Sequence, residues 1–173
     1  MYNKGNGCAT DKGKQMQKTN VMRLLDQEAI PYRVEVCEDV HDEDWSSLRT
    51  SELLGVSADR IFKTLVLHGD VTRFLVCCIP SNQELDLKKV AKASGNKRVE
   101  MIHVKEIREI TGYIRGGCSP IGMKKKFPTF IDETAILFDE IYVNAGALDT
   151  MVVIHPEHLI RYVEGTAVDL VRY

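Results

Sequence analysis

The sequence predicts a single α/β domain built on a mixed, largely antiparallel sheet with surrounding helices. Two apolar runs, residues 60–68 and 72–80, meet through Gly69 and Asp70, which is the pattern of a β-hairpin. Segments of strand and helix character follow without regular alternation, which argues against a doubly wound parallel sheet. The 173 residues are enough for one core, and no linker or internal repeat divides them.

Each element has a local reason. Residues 1–17 are rich in Gly, Lys, Asn and Gln and read as a flexible tail, leaving 18–173 as the single domain. Thr19 caps a helix whose inner face carries Val21, Met22, Leu24 and Leu25, and Pro31 marks its end. Residues 32–37 alternate as a strand. The acidic segment 38–44 reads as a solvated connection, with Trp45 either pinning it to the body or bordering a cleft. Leu48, Leu53 and Leu54 before Gly55 form a short helix with a glycine cap. After the hairpin, Asp86 caps a helix carrying Leu87, Val90 and Ala91, which Gly95 ends. Residues 98–101 form a short strand, and Val104, Ile107 and Ile110 recur at helical spacing before Gly112. Residues 129–132, 140–144 and 151–154 read as strands, the first two joined by a short connection over 134–138. Pro156 opens a last helix with Leu159, Ile160 and Val163.

Composition excludes several classes of function. With 23 basic and 25 acidic residues the net charge is -2, so no global positive field attracts nucleic acid; DNA is not expected, and RNA would need a local patch. Apolar runs stop well short of the roughly 20 residues of a membrane span, and the amino terminus lacks a signal-peptide core, so a cytoplasmic protein without membrane attachment is expected. Five cysteines form no C-x-x-C pair, and adjacent Cys77 and Cys78 point to opposite faces of a strand. A reducing compartment and no metal site follow.

The residues with chemical promise concentrate in residues 111–122, a stretch of turn residues and polar groups between apolar segments. Gly116 and Gly117 permit close backbone approach to a ligand, Pro120 fixes one backbone angle, and Cys118 and Ser119 add short polar side chains. This describes an anion or carbonyl cradle, and equally a tight turn. Lys63 stands alone in an apolar strand, either lying over apolar surface or offering its cation on a pocket floor; Thr64 points to the opposite face and could join Lys63 only through its backbone or a bend. Cys118 would be a nucleophile if His68, His103, His155 or His158 stood beside it. His155 and His158, three apart near a helix start, could share a ligand but lack a third partner and read as surface or capping groups, and Asp132 with Glu133 could serve acid/base chemistry or simply end a strand. The segment from Asn144 through Gly146 to Asp149 is either a second functional loop or a structural turn. Lys124, Lys125 and Lys126 follow the glycine-rich loop, and with Lys88, Lys89, Lys92, Lys97 and Arg98 could make a weak phosphate-contacting patch.

Three ordered elements, Phe62-Lys63-Thr64-Leu65, Thr111-Gly112-Tyr113 with Gly116-Gly117-Cys118-Ser119-Pro120-Ile121-Gly122, and Asn144-Ala145-Gly146, together resemble the YbaK/EbsC family, whose domain is similar to the editing domain of bacterial prolyl-tRNA synthetases. The resemblance runs over residues 18–170 and is strongest to the branch acting on cysteinyl-tRNA(Pro). It implies a barrel-like mixed α/β domain that hydrolyses a wrongly attached amino acid from tRNA, without cofactor, metal or covalent enzyme intermediate. In the cysteine branch the substrate's own thiol can attack the ester carbonyl. On this reading Lys63 and the N–H groups near Gly117 and Cys118 carry catalysis. Thr64, Tyr113, Gly116, Ser119, Pro120, Ile121, Gly122, Gly146 and Asp149 bind substrate, and Lys124, Lys125 and Lys126 contact the tRNA. Aminoacyl-tRNA is the implied partner, with prolyl-tRNA synthetase a candidate second one and a monomer the default. The competing readings are a deacylase for another aminoacyl ester such as alanyl-tRNA(Pro), a binding module without catalysis, and a thiol hydrolase using Cys118. The acidic segment 38–47 is longer and more charged than expected at this place in the family.

Overall fold

The computed structural model describes residues 17–37 and 47–173. The expected tail through residue 16 and the acidic connection with Trp45 lie outside the described residues. Helix α1 (Asn20–Gln27) starts where Thr19 accepts a hydrogen bond from the Met22 N–H, and buries Val21, Met22 and Leu25. Strand β1 (Tyr32–Val36) and helix α2 (Ser47–Leu54) follow, then the hairpin of β2 (Phe62–Gly69) and β3 (Arg73–Pro80). Helix α3 (Leu87–Ser94) is capped by Asp86, which accepts from Lys88 and Lys89 N–H at 3.0 and 3.2 Å. Strand β4 (Val99–Met101), the short helix α4 (Ile107–Thr111) and β5 (Thr129–Asp132) lead to β6 (Ile141–Ala147) and β7 (Thr150–Ile154). The chain closes with α5 (Pro156–Val163) and β8 (Thr166–Val168), a strand too short and exposed for its sequence to announce.

The strands form two sheets, ordered β1-β7-β6 and β4-β2-β3-β5-β8. The ladders β1–β7, β2–β3, β2–β4 and β6–β7 are antiparallel; β3–β5 and β5–β8 are parallel. The arrangement is barrel-like without closing: a single parallel bridge, Ile61 to Tyr142, joins the start of β2 to β6. Alternation along β3 sends Cys78 into the core under α1 and α5, with Phe62, Val76 and Ile131, and Cys77 into a second core with Leu67, Leu75 and Val90. Among the described residues no helix is long and apolar enough to cross a membrane.

Two local details refine the sequence reading. Gly69 is the last residue of β2, paired with Arg73, and does not supply the turn's positive φ, which falls on Arg73. It is needed because a Cβ there would come within 2.5 Å of the Asn96 amide, whose oxygen holds the Val71 and Thr72 N–H groups. Asp132 is wholly buried. One carboxylate oxygen accepts from Leu170 N–H at 3.0 Å, and the other from Thr134 N–H and hydroxyl at 3.2 and 2.6 Å. It therefore ties β5, the following 3-10 turn and the end of the chain together. Asp132→Ala leaves the Leu170 N–H buried without an acceptor and removes a cap. The expected loss is about 2–4 kcal/mol, read as a lower urea midpoint with unchanged slope.

Candidate active site

Strand β2 is paired with β3 along its whole length, whereas β4 covers only Leu67, His68 and Gly69 on its other side. The gap is closed at one end by the Ile102 N–H donating to the Val66 carbonyl at 3.3 Å, and at the other by the Ile61–Tyr142 bridge. Between these points the sheets part and leave a cavity of about 290 Å³. Its walls are apolar over Ile61, Phe62, Leu65, Val66, Met101, Ile102, Val104, Ile107 and Met151. Thr50, Lys63, Thr64, Arg115, Gly116, Cys118 and Asn144 supply the polar groups. Backbone groups alternate sides along an antiparallel strand, so the N–H and C=O of Thr64 point the same way as those of Val66, toward the cavity.

Lys63 and Thr64 lie on opposite faces, in register with Ile79 and Cys78 respectively. The Thr64 hydroxyl meets the Cys78 sulfur at 3.8 Å, and both Lys63 and Thr64 reach the cavity because it runs along the strand's open edge. The half-buried Lys63 ammonium donates to the Ser81 carbonyl at 3.4 Å. Burial pulls its pKa below the usual lysine value, partly offset by the charge of Glu84.

The glycine-rich loop presents only part of itself to the cavity: Arg115, Gly116 and Cys118 line it. The Gly117 N–H, expected to serve as an oxyanion donor, instead donates to the Ile114 carbonyl at 3.0 Å. Among the described residues the Cys118 N–H has no such acceptor. The Cys118 thiol is pushed up to about 11 by burial, partly offset by a hydrogen bond with Thr111, so it is protonated at neutral pH. Ser119 and Ile121 are wholly buried; the Ser119 hydroxyl accepts from the Ile121 N–H at 3.3 Å and shapes the turn. Pro120 and Gly122 face a separate open groove of about 590 Å³, with Lys125, Lys126, His158 and Arg161. Tyr113 is a brace: its hydroxyl donates to the Ile121 carbonyl, and its ring covers Gly146, where a Cβ would fall 2.9 Å from it at a φ of +87°.

Neither Gly146, within the bulged end of β6, nor Asp149, on the connection from β6 to β7, lines the cavity. Asp149 is exposed; it accepts from the Thr150 hydroxyl at 2.9 Å, and its carbonyl from the Cys37 N–H at 2.6 Å. The lysine run sits apart as well: Lys124 donates to the Glu109 carbonyl, Lys126 pairs with Glu164, and all three line a groove of about 530 Å³ beside Arg73. His155 caps α5 by accepting from the Glu157 N–H at 3.2 Å. No group of three His, Cys, Asp or Glu side chains suited to a metal occurs among the described residues. Sequence reasoning did not single out Arg115, Met101, Ile107 or Met151, because they converge only through tertiary structure. The Asn144 side chain was within reach, since the residue opens the third motif.

The aminoacyl-tRNA editing domain family matches residues 46–162. A protein of Enterococcus faecalis described as a candidate Cys-tRNA(Pro)/Cys-tRNA(Cys) deacylase, EbsC, is 50% identical over 155 residues, which are 89% of this chain and 93% of that one. The multifunctional Ser/Thr-tRNA deacylase ProXp-y of Escherichia coli is 26% identical over 88% of this chain and 91% of its own. The crystal structure of a candidate trans-editing enzyme for prolyl-tRNA synthetase shares the fold, with a TM-score of 0.76 at 20% identity across 91% of this chain and 100% of that one.

Cys118→Ala keeps the backbone N–H and removes the thiol. Ester-hydrolysis rates of the variant are expected to fall less than about tenfold, against a loss on the order of 10⁶-fold for a true nucleophile.

Proposed function

The chain belongs to the aminoacyl-tRNA editing domain family, and on that premise we propose that it is a trans-acting deacylase that hydrolyses cysteinyl-tRNA(Pro), and cysteinyl-tRNA(Cys) as a second substrate. The 50% identity to EbsC over nearly the whole of both chains supports the choice of cysteine. The observation that carries the mechanism is the character of the cavity: its described walls hold no carboxylate or imidazole, and its one thiol is protonated. Such walls supply no carboxylate or imidazole to activate a water, which supports the substrate-assisted route that the family resemblance implies, with the cysteinyl thiol as nucleophile. The cysteinyl sulfur bonds to the ester carbonyl carbon, closing a four-membered thiolactone. The bond from that carbon to the ribose oxygen breaks, and the oxygen takes up the proton the thiol loses. Water later opens the thiolactone to free cysteine.

The protein's share is orientation and stabilisation of the developing oxyanion. The Cys118 N–H and the Lys63 ammonium serve the carbonyl oxygen, and the open backbone edge at Thr64 aligns the aminoacyl group. Gly116 leaves room for close approach. Arg115, exposed at the rim, takes the terminal phosphate. The apolar walls suit a cysteinyl side chain better than a seryl or threonyl one, whose hydroxyl they would leave without partners. Gly117, Tyr113, Ser119, Ile121, Gly146 and Asp149 hold the loops in shape, whereas Pro120, Gly122 and Lys124, Lys125 and Lys126 face the grooves where the tRNA body would track. Such contacts are weak and salt-dependent, which fits a cytoplasmic monomer to which prolyl-tRNA synthetase delivers the tRNA.

The test is release of cysteine from cysteinyl-tRNA(Pro), with alanyl-, seryl- and threonyl-tRNA in parallel and spontaneous hydrolysis subtracted. Rapid, cysteine-selective release is expected, and Lys63→Ala should lose about 10²–10³-fold in kcat. Release of every amino acid except cysteine, or of none, overturns the assignment. Because burial favours the neutral amine, Lys63 surrenders its proton at a lower pH than an exposed lysine. Activity that needs the ammonium should therefore decline as pH rises through a value below the ordinary 10.5, and a pH–rate profile of the enzyme-dependent part would show that alkaline limb.

A further inference from the structure

Strand β6 carries two residues more than β7 between the pairs Asn144–Met151 and Ala147–Thr150. The Asn144 side chain, only 5% exposed, caps this bulge. Its oxygen accepts from Gly146 and Ala147 N–H at 2.6 and 3.1 Å; its nitrogen donates to the Ala147 carbonyl at 2.9 Å and, across the cavity wall, to the Gly116 carbonyl at 3.0 Å. Two backbone donors face one atom and two carbonyls the other, so only this orientation of the amide satisfies all four. With both amide hydrogens and both acceptor sites consumed inside the protein, Asn144 has nothing left to offer a substrate.

Its fourth hydrogen bond matters most. The Gly116 carbonyl and the Gly117 N–H belong to one peptide unit, and that unit is held at its oxygen by Asn144 and at its nitrogen by the Ile114 carbonyl. The next peptide carries the Cys118 N–H. Ala147 and Leu148, just beyond the bulge, stand 3.6 Å from where a Gly117 side chain would begin, so the bulge also walls in the residue between the pinned peptide and Cys118. We propose that Asn144 is a positioning residue that, through the Gly116 carbonyl, aims the Cys118 N–H at the reacting carbonyl oxygen. This rests on the deacylase reading for its kinetic consequence but not for its geometry.

Asn144→Ala and the isosteric Asn144→Asp separate positioning from mere structural support. In variants whose circular dichroism shows a folded protein, kcat for cysteinyl-tRNA(Pro) is expected to fall on the order of 10²-fold with KM changed little, as for a displaced catalytic group. In Asn144→Asp the new carboxylate faces two carbonyl oxygens, and only its protonated form can donate to Gly116. The ratio of Asn144→Asp to wild-type kcat should therefore rise as pH falls, whereas that of Asn144→Ala should stay flat. Independently of activity, amide hydrogen exchange at Cys118 followed by NMR should change in both variants. Unchanged kcat, a loss confined to KM, or a flat ratio for Asn144→Asp overturns the proposal. If wild type cleaves no aminoacyl ester, the deacylase reading fails, and the exchange measurement alone decides the positioning role: undisturbed exchange at Cys118 refutes it.

Discussion

The architecture of the site follows from the incomplete pairing of one strand. Backbone N–H and C=O groups buried without partners are costly, and β2 would normally be covered on both sides over its full length. Here β4 is three residues long and reaches only Leu67, His68 and Gly69, while the other sheet pairs with this segment only through the bridge at Ile61. The uncovered stretch around Thr64 is exposed to a cavity, and the rest of the site is arranged around it: the glycine-rich loop from one side, β6 and Asn144 from another, and Met101 to Ile107 above. A fully paired β2 would leave no cavity.

This arrangement makes the site one of backbone groups more than of reactive side chains. Burial keeps the Cys118 and Cys78 thiols protonated and makes them poor nucleophiles, so these cysteines behave as small apolar residues. An ester linked to tRNA is already activated, and a site of this kind need only hold it and stabilise charge as it develops. The site's loops are held by hydrogen bonds within the protein: Asn144 to Gly116, Tyr113 to Ile121, and Ile121 to Ser119.

On the proposed reading, the division between cavity and grooves separates chemistry from attachment. The cationic residues of the lysine run border wide, open grooves and are partly engaged with Glu109 and Glu164. Among the described residues, Lys63 and Arg115 are the ones that bring charge to the cavity. A net charge of -2 fits this arrangement, since a protein with few committed cations holds polyanions loosely and releases them readily.

Local order was legible in the sequence wherever a local cause produces it. The caps at Thr19 and Asp86, the hairpin, the opposed Cys77 and Cys78, and the opposite faces of Lys63 and Thr64 all follow from spacing over a few residues. The three motifs were legible too, and it was their resemblance to a known family that indicated the activity. What the sequence could not decide is which groups of those motifs meet. Gly117 and Cys118 are neighbours of similar promise, yet one N–H is bound to the Ile114 carbonyl and the other is not. Pro120 and Gly122 belong to the same loop as Gly116 but face a different groove. Met151 and Met101 reach the cavity from strands of different sheets. Such outcomes depend on long-range packing and on the bulge in β6, because a hydrogen bond between residues 28 apart has no signature in the spacing of either.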